Sequence, residues 1–294
     1  MAETGPTAAR RRLGAQLRRL REVAGISGEQ AAVVLGGSQA KISRLESGVT
    51  RPGIADVAAL LKFYEADDEL YDSLLALAKV AASRSRSWWR DYVDAFGVQV
   101  RQRAALESEA SAILHCCPFV IPGVLQTPDY TQAVFERTGH GISRENIELA
   151  ISYQAARKKH VLANVSAYRV LATPAALRWR PSTAFDPRPQ LRSLSYDVTA
   201  GNCFELRILS EYPADGVLAP PDFSIFTFDD EAVPAAGYLE LPTGFHALER
   251  SSEIQYYDDV FSVLWGMAFT EENSLAYVHD MVKKLDSQNP NASR

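Results

Sequence analysis

Residues 27–48 read SGEQAAVVLGGSQAKISRLESG. Ser27, with Gln30 three residues on, has the form of a capping box that opens a helix. Gly36 and Gly37 supply a sharp turn, where a positive φ costs little. Ser38 then stands where a second helix needs its N-cap. In that second helix Ile42 and Leu45 have the spacing of a buried face. Gln39, Ala40, Lys41, Ser43 and Arg44 are left on the outside. Two short helices about a tight turn, the second opening with polar and basic side chains, form a helix-turn-helix. That arrangement sets side chains on base edges in a DNA major groove.

The flanking residues extend the pattern. Leu13, Leu17 and Leu20 lie at i, i+4 and i+7, one stripe of a first helix. Gly25 is placed to end it as a C′ residue. Val57, Leu60, Leu61 and Tyr64 repeat the helical spacing on a fourth helix, opened by Arg51-Pro52, and Leu70, Leu74 and Leu77 mark a fifth. Charge agrees with a nucleic-acid partner at this end alone. Residues 1–63 hold ten Lys/Arg against five Asp/Glu, a balance of +5; the whole chain carries −5, so the remainder carries −10.

On these pieces residues 10–82 resemble the XRE-type (phage repressor/Cro-like) helix-turn-helix domain. The matching segments are LGAQLRRLREVAGIS, LGGSQAKISRLESG and the Arg-Pro that follows. The resemblance implies an all-α domain of about five helices that binds double-stranded DNA. Its third helix enters the groove with Ser38, Gln39, Ala40, Lys41, Ser43 and Arg44. Arg18, Arg21 and Arg51 are expected at phosphates or in solvent. Glu46 is expected to brace the Ser47-Gly48 turn. The family usually carries glutamine after the serine that opens helix two, where it touches a phosphate; here that position is Gly28.

From residue 83 the character changes. AASRSRSWWRDY reads as a short linker followed by Trp88 and Trp89, whose pattern favours packing at a domain start over base stacking. A helical run is expected through Leu106, Ala110, Ile113 and Leu114. Thr127-Pro128 reads as an N-cap with proline at the first helical position. Ile147, Ala150, Ile151 and Gln154 open a further helix. VSAYRVLA, FELRILS, FSIFTF and AGYLELP are expected strands, and the chain closes with helical YYDDVFSVLWGMAF and EENSLAYVHDMVKKL. Residues 83–286 are thus expected to form a larger α+β domain, with 1–9 and 287–294 as flexible tails. The segments LESEASAI, IPGVLQTPDY, PQLRSL, PDFSIFTF, GYLE and VFSVLWGMAFTEENSLAYV resemble the C-terminal domain of the WhiJ-like or antitoxin-like group of XRE-type regulators. Thr173-Pro174 and Arg157-Lys158 depart from that group's pattern. The resemblance implies a protein partner for this domain.

Other classes find little support. No apolar run approaches the roughly 20 residues a membrane helix needs. Cys116, Cys117 and Cys203 are odd in number and lack metal-ligand spacing, which points to a reducing cytoplasm and no zinc site. Glu107, Glu109, His115, Glu240, His246 and His279 form no known catalytic motif. No enzymatic activity and no cofactor are expected. The sequence therefore reads as a cytoplasmic transcription regulator. It is expected to pair as a homodimer on an inverted repeat and to answer through its C-terminal domain to a small partner protein or small-molecule effector. The alternative is an antitoxin-like interaction protein that captures a small partner and regulates its own operon.

Overall fold

The computed structural model describes residues 5–83, 88–89, 92, 97–138, 143–182, 185–209, 220–241, 244–248 and 250–288. Residues 1–4, 84–87 and 289–294, parts of the expected tails and linker, lie outside the described residues. The chain divides into two compact units. The first comprises residues 1–87 with 227–235 and 249–251; the second comprises the remainder. Among the described residues no helix is long and apolar enough to cross a membrane.

Among the described residues the first unit holds five helices: α1 (Pro6–Val23), α2 (Gly28–Val34), α3 (Gln39–Glu46), α4 (Ile54–Phe63) and α5 (Asp68–Ala82). Helix α1 starts earlier than expected. Residues 6–9, assigned to a tail on sequence, are helical, with Pro6 in the first turn and Thr7, Ala8 and Ala9 buried. Leu13, Leu17, Ala31, Ala32, Ile42, Leu45, Val57, Leu60, Leu61, Tyr64 and Leu74 form one core. Burying each large aliphatic side chain contributes about 1.5–3 kcal/mol. Helices α1 and α3 approach closely at Gly14, where a Cβ would stand 2.3 Å from the Glu46 carbonyl oxygen. Helix α4 is capped by Gly53 rather than opened by Arg51-Pro52 as expected.

Four of these helices end in the same way. After α1, Gly25 N–H bonds the Glu22 carbonyl and Ile26 N–H the Arg21 carbonyl. Gly36-Gly37 after α2 and Gly48-Val49 after α3 repeat this two-bond closure. All three C′ glycines have φ between 54° and 72°. After α4 the same bonds form at Glu65-Ala66, and Glu65 holds φ 55° with a side chain. An L-residue in that region costs about 1–2 kcal/mol, partly offset because glycine is freer in the unfolded chain. Glu65→Gly is therefore expected to stabilise the protein by about 0.5–1 kcal/mol. The urea midpoint checks it; a fall in midpoint would show that Glu65 carries a compensating contact.

The second unit is α+β. Among the described residues its six strands are β1 (Ala112–Cys117), β2 (Ala167–Ala172), β3 (Phe204–Ile208), β4 (Asp222–Thr227), β5 (Ala236–Leu241) and β6 (Gly244–Leu248). They form one mixed sheet in the order β3-β2-β1-β4-β5-β6. Strand β2 pairs in parallel with β1 and β3, and β5 pairs antiparallel with β4 and β6. The helices among the described residues include α6 (Gly97–Glu107), α7 (Pro128–Thr138), α8 (Arg144–Asn164), α9 (Pro174–Arg178), α10 (Arg188–Thr199), α11 (Ser251–Met267) and α12 (Glu271–Gln288).

Two expectations need correction here. Ile113 and Leu114 lie on β1, not on a continuation of α6, and residues 287–288 belong to α12 rather than a tail. Trp88 packs as the pattern favoured: its ring stacks on Tyr153 and His160 of α8 at centroid distances of 5.9 and 5.3 Å. The IPGVLQTPDY loop is clamped by Gln190 of α10. Its side-chain oxygen accepts from Thr127 N–H at 2.7 Å, and its amide donates to the Leu125 carbonyl at 2.8 Å.

Candidate DNA-binding surface

The capping box at the start of α2 is formed. Ser27 Oγ accepts from Gln30 N–H at 3.2 Å and Gln30 Oε1 accepts from Ser27 N–H at 2.8 Å. The turn after α2 leads to α3, whose first residue is Gln39. Ser38 occupies the N-cap position in extended backbone, but its side chain makes no capping hydrogen bond, contrary to expectation. Its hydroxyl is exposed at the tip of the helix.

Helix α3 turns Ile42, Leu45 and Glu46 inward. Ala40 and Arg44, four residues apart, share the opposite line and are exposed. Ser43 and Lys41 flank that line, each half-buried, and Gln39 is exposed at the helix start. Gly28 has a structural reason in this chain. A Cβ there would stand 3.2 Å from Gln39 Cγ, so the bare backbone makes room for the Gln39 side chain to lie across the start of α2.

Four charged residues are placed otherwise than the sequence suggested. Arg21 is neither a solvated charge nor open to phosphate. Its Nε and Nη2 donate to Glu46 at 2.6 and 2.9 Å, and its Nη1 donates to the Ile26 carbonyl at 3.0 Å. Arg18 Nε donates to the same carboxylate at 3.2 Å. Glu46, buried, thus holds α1 to α3 rather than bracing the Ser47-Gly48 turn. Lys41 is drawn to α4, with Nζ 2.9 Å from Asp56 Oδ2; both groups are partly exposed, and such a pair contributes at most about 1 kcal/mol.

The basic balance of this unit is therefore partly spent internally. Arg12 Nη1 pairs with Asp230 at 2.9 Å, and Arg11 donates to the Pro234 and Ala235 carbonyls, all within the first unit. Arg19, Arg44 and Arg51 are exposed, and among the described residues none has an ion-pair partner. The side chains that remain open at the α3 end are thus Ser38, Gln39, Ala40 and Arg44, with Arg51 nearby in sequence.

The second unit contains a separate buried polar group of residues. Arg157 Nε and Nη2 donate to Glu107 at 2.5 and 2.6 Å, with both side chains fully inside. Burial alone would raise the Glu107 carboxyl, but the facing Arg157 guanidinium holds it below the ordinary carboxylate value. His115 is buried on β1, with Nδ1 2.9 Å from Tyr168 Oη and Nε2 3.0 Å from Asp222 Oδ1. Burial and the nearby Arg103 charge push its pKa down to about 3, so the ring is neutral. Burial raises Asp222 to about 7. Sequence reading singled out His115, Glu107 and Glu240 but not Asp222 or the acid–arginine pairing. An aspartate at the first position of β4, before an apolar run, is the signal that was there.

Residues 12–74 match the helix-turn-helix domain family. Residues 100–280 match the family described as a domain of unknown function, DUF5753. The chain belongs to the DUF5753 family. It joins that domain, which covers more than half its length, to a helix-turn-helix DNA-binding domain. No curated protein and no solved structure matches the chain.

Proposed function

We propose that this DUF5753 protein is a sequence-specific transcription regulator whose second unit governs DNA binding. Control would act through pairing of two copies and through a protein or small-molecule partner. One observation carries the reading: the outward line of α3, where Ala40 and Arg44 stand exposed with Gln39 at the helix start. A guanidinium there suits guanine O6 and N7, a carboxamide suits adenine, and a small alanine admits the thymine methyl. Ser38, Ser43 and Lys41 border this line, and Arg51 is suited to a phosphate. Arg18 and Arg21 contribute by holding Glu46, and with it α3, rather than by touching DNA. Two paired copies would set their α3 helices about 34 Å apart and require an inverted repeat. No reaction is ascribed to the chain.

Arg44→Ala is expected to weaken binding to a selected duplex by about tenfold to a hundredfold, the worth of one bidentate base contact. It should also relax preference at one base position, whereas loss of a phosphate contact would weaken all sequences alike and lower the salt slope by about one. Fluorescence anisotropy with the full chain at fixed salt reads both. Unchanged affinity would remove Arg44 from the interface.

A further inference from the structure

Strands β1, β4 and β5 are neighbours in the sheet. They bring His115, Asp222 and Glu240 together, with a donor atom from each lying within 4.8 Å of the others. Asp222 and Glu240 are direct partners across the antiparallel β4–β5 pair, so both carboxylates face the same side. Like charges in that position repel and destabilise the pairing. Arg103 Nη1 answers one of them, 2.9 Å from Glu240. Arg157 is committed to Glu107.

We propose that His115 Nε2, Asp222 and Glu240 bind a divalent first-row transition metal. One imidazole with two carboxylates is a ligand set suited to manganese, iron, cobalt or zinc rather than to calcium or magnesium alone. The geometry fits. Donors held at about 2.1 Å from an ion and at right angles to each other stand about 3.0 Å apart, and His115 Nε2 lies 3.0 Å from Asp222 Oδ1. The Glu240 donor lies within 4.8 Å of both others, and rotation of this partly exposed side chain would bring it to the ion.

The surroundings supply what a ligating histidine needs. Tyr168 Oη sits 2.9 Å from Nδ1 and can accept a hydrogen bond from Nδ1–H when Nε2 turns its lone pair to the ion. Access comes from one side: the His115 side chain is 1% exposed, Asp222 20% and Glu240 46%. Glu240 can keep one oxygen on Arg103 and offer the other.

The full chain, stripped with a chelator, should bind cobalt chloride and manganese chloride with one ion per chain by calorimetry. Cobalt should show visible absorption of a nitrogen and oxygen site. Asp222→Asn and Glu240→Gln, which preserve shape, should each weaken binding at least tenfold. Glu240 is partly in solvent, so Glu240→Gln is expected to fold, as circular dichroism would report, and it decides the matter if Asp222→Asn does not fold. Absence of binding at millimolar metal, or wild-type affinity in a folded Glu240→Gln protein, would overturn the proposal. Neither result bears on DNA reading by α3.

Discussion

Glu107→Ala is expected to destabilise the second unit by about 3–5 kcal/mol, because it strands a buried guanidinium without its counter-charge. Arg157 sits inside with Glu107 Oε1 and Oε2 at 2.5 and 2.6 Å. Taking both charges from water is costly, and their attraction offsets that cost only while both are present. The double variant Glu107→Leu with Arg157→Met should therefore recover most of the loss. Acid acts on the same pair. Glu107 has a depressed folded pKa, so its contribution is complete above the unfolded value of about 4.3 and is lost as pH falls through the folded value. The single variant should lack that part of the acid sensitivity. Urea unfolding at two pH values checks both statements. A Glu107→Ala protein as stable as the parent would mean that solvent reaches Arg157 and that the pair is not inside.

Glu46→Ala should unravel the first unit. The carboxylate takes three bonds, two from Arg21 and one from Arg18, and ties α1 to the end of α3. Its loss is expected to cost about 2–3 kcal/mol, below the range for a fully enclosed pair because both arginines keep some solvent. The effect falls on a small helical domain with few large side chains to spare, where such a loss is a large share of total stability. Hydrogen exchange on the full chain should show protection falling in α1–α5 while the β1–β6 amides keep theirs. DNA affinity should fall with the folded fraction. Weakened DNA binding with unchanged protection would instead make Glu46 part of the recognition surface.

The helix-turn-helix was legible because local signals there agree. Ser27, Gln30 and the C′ glycines Gly25, Gly36 and Gly48 mark ends, and leucine spacing marks faces. The sheet was legible where strands alternate or carry β-branched and aromatic residues, as in β2 and β4. It was lost at β1, whose AILHCC is buried along most of its length and has no period to separate it from a helix end. Strand β6, GFHAL, is short and sits at the sheet edge, where the pattern is weak. Charged residues were the hardest to place. Helix α8 buries Ala150, Tyr153, Arg157 and Val161 along one line, and an arginine on that line reads as solvated until its glutamate, fifty residues earlier, is known. Arg21 and Glu46 hid in the same way. A charge pattern gives a sign, but pairing across the fold decides which charges remain for a partner.

The central claim is that α3 reads DNA sequence. Repeated selection of randomised duplexes by the full chain tests it most directly. One recurring motif, arranged as an inverted repeat with half-sites about 34 Å apart, is predicted for the native protein. Its enrichment should vanish for Gln39→Ala with Arg44→Ala while amide protection in α1–α5 stays intact. No enriched motif with the native chain, or the same motif with the double variant, would contradict the account.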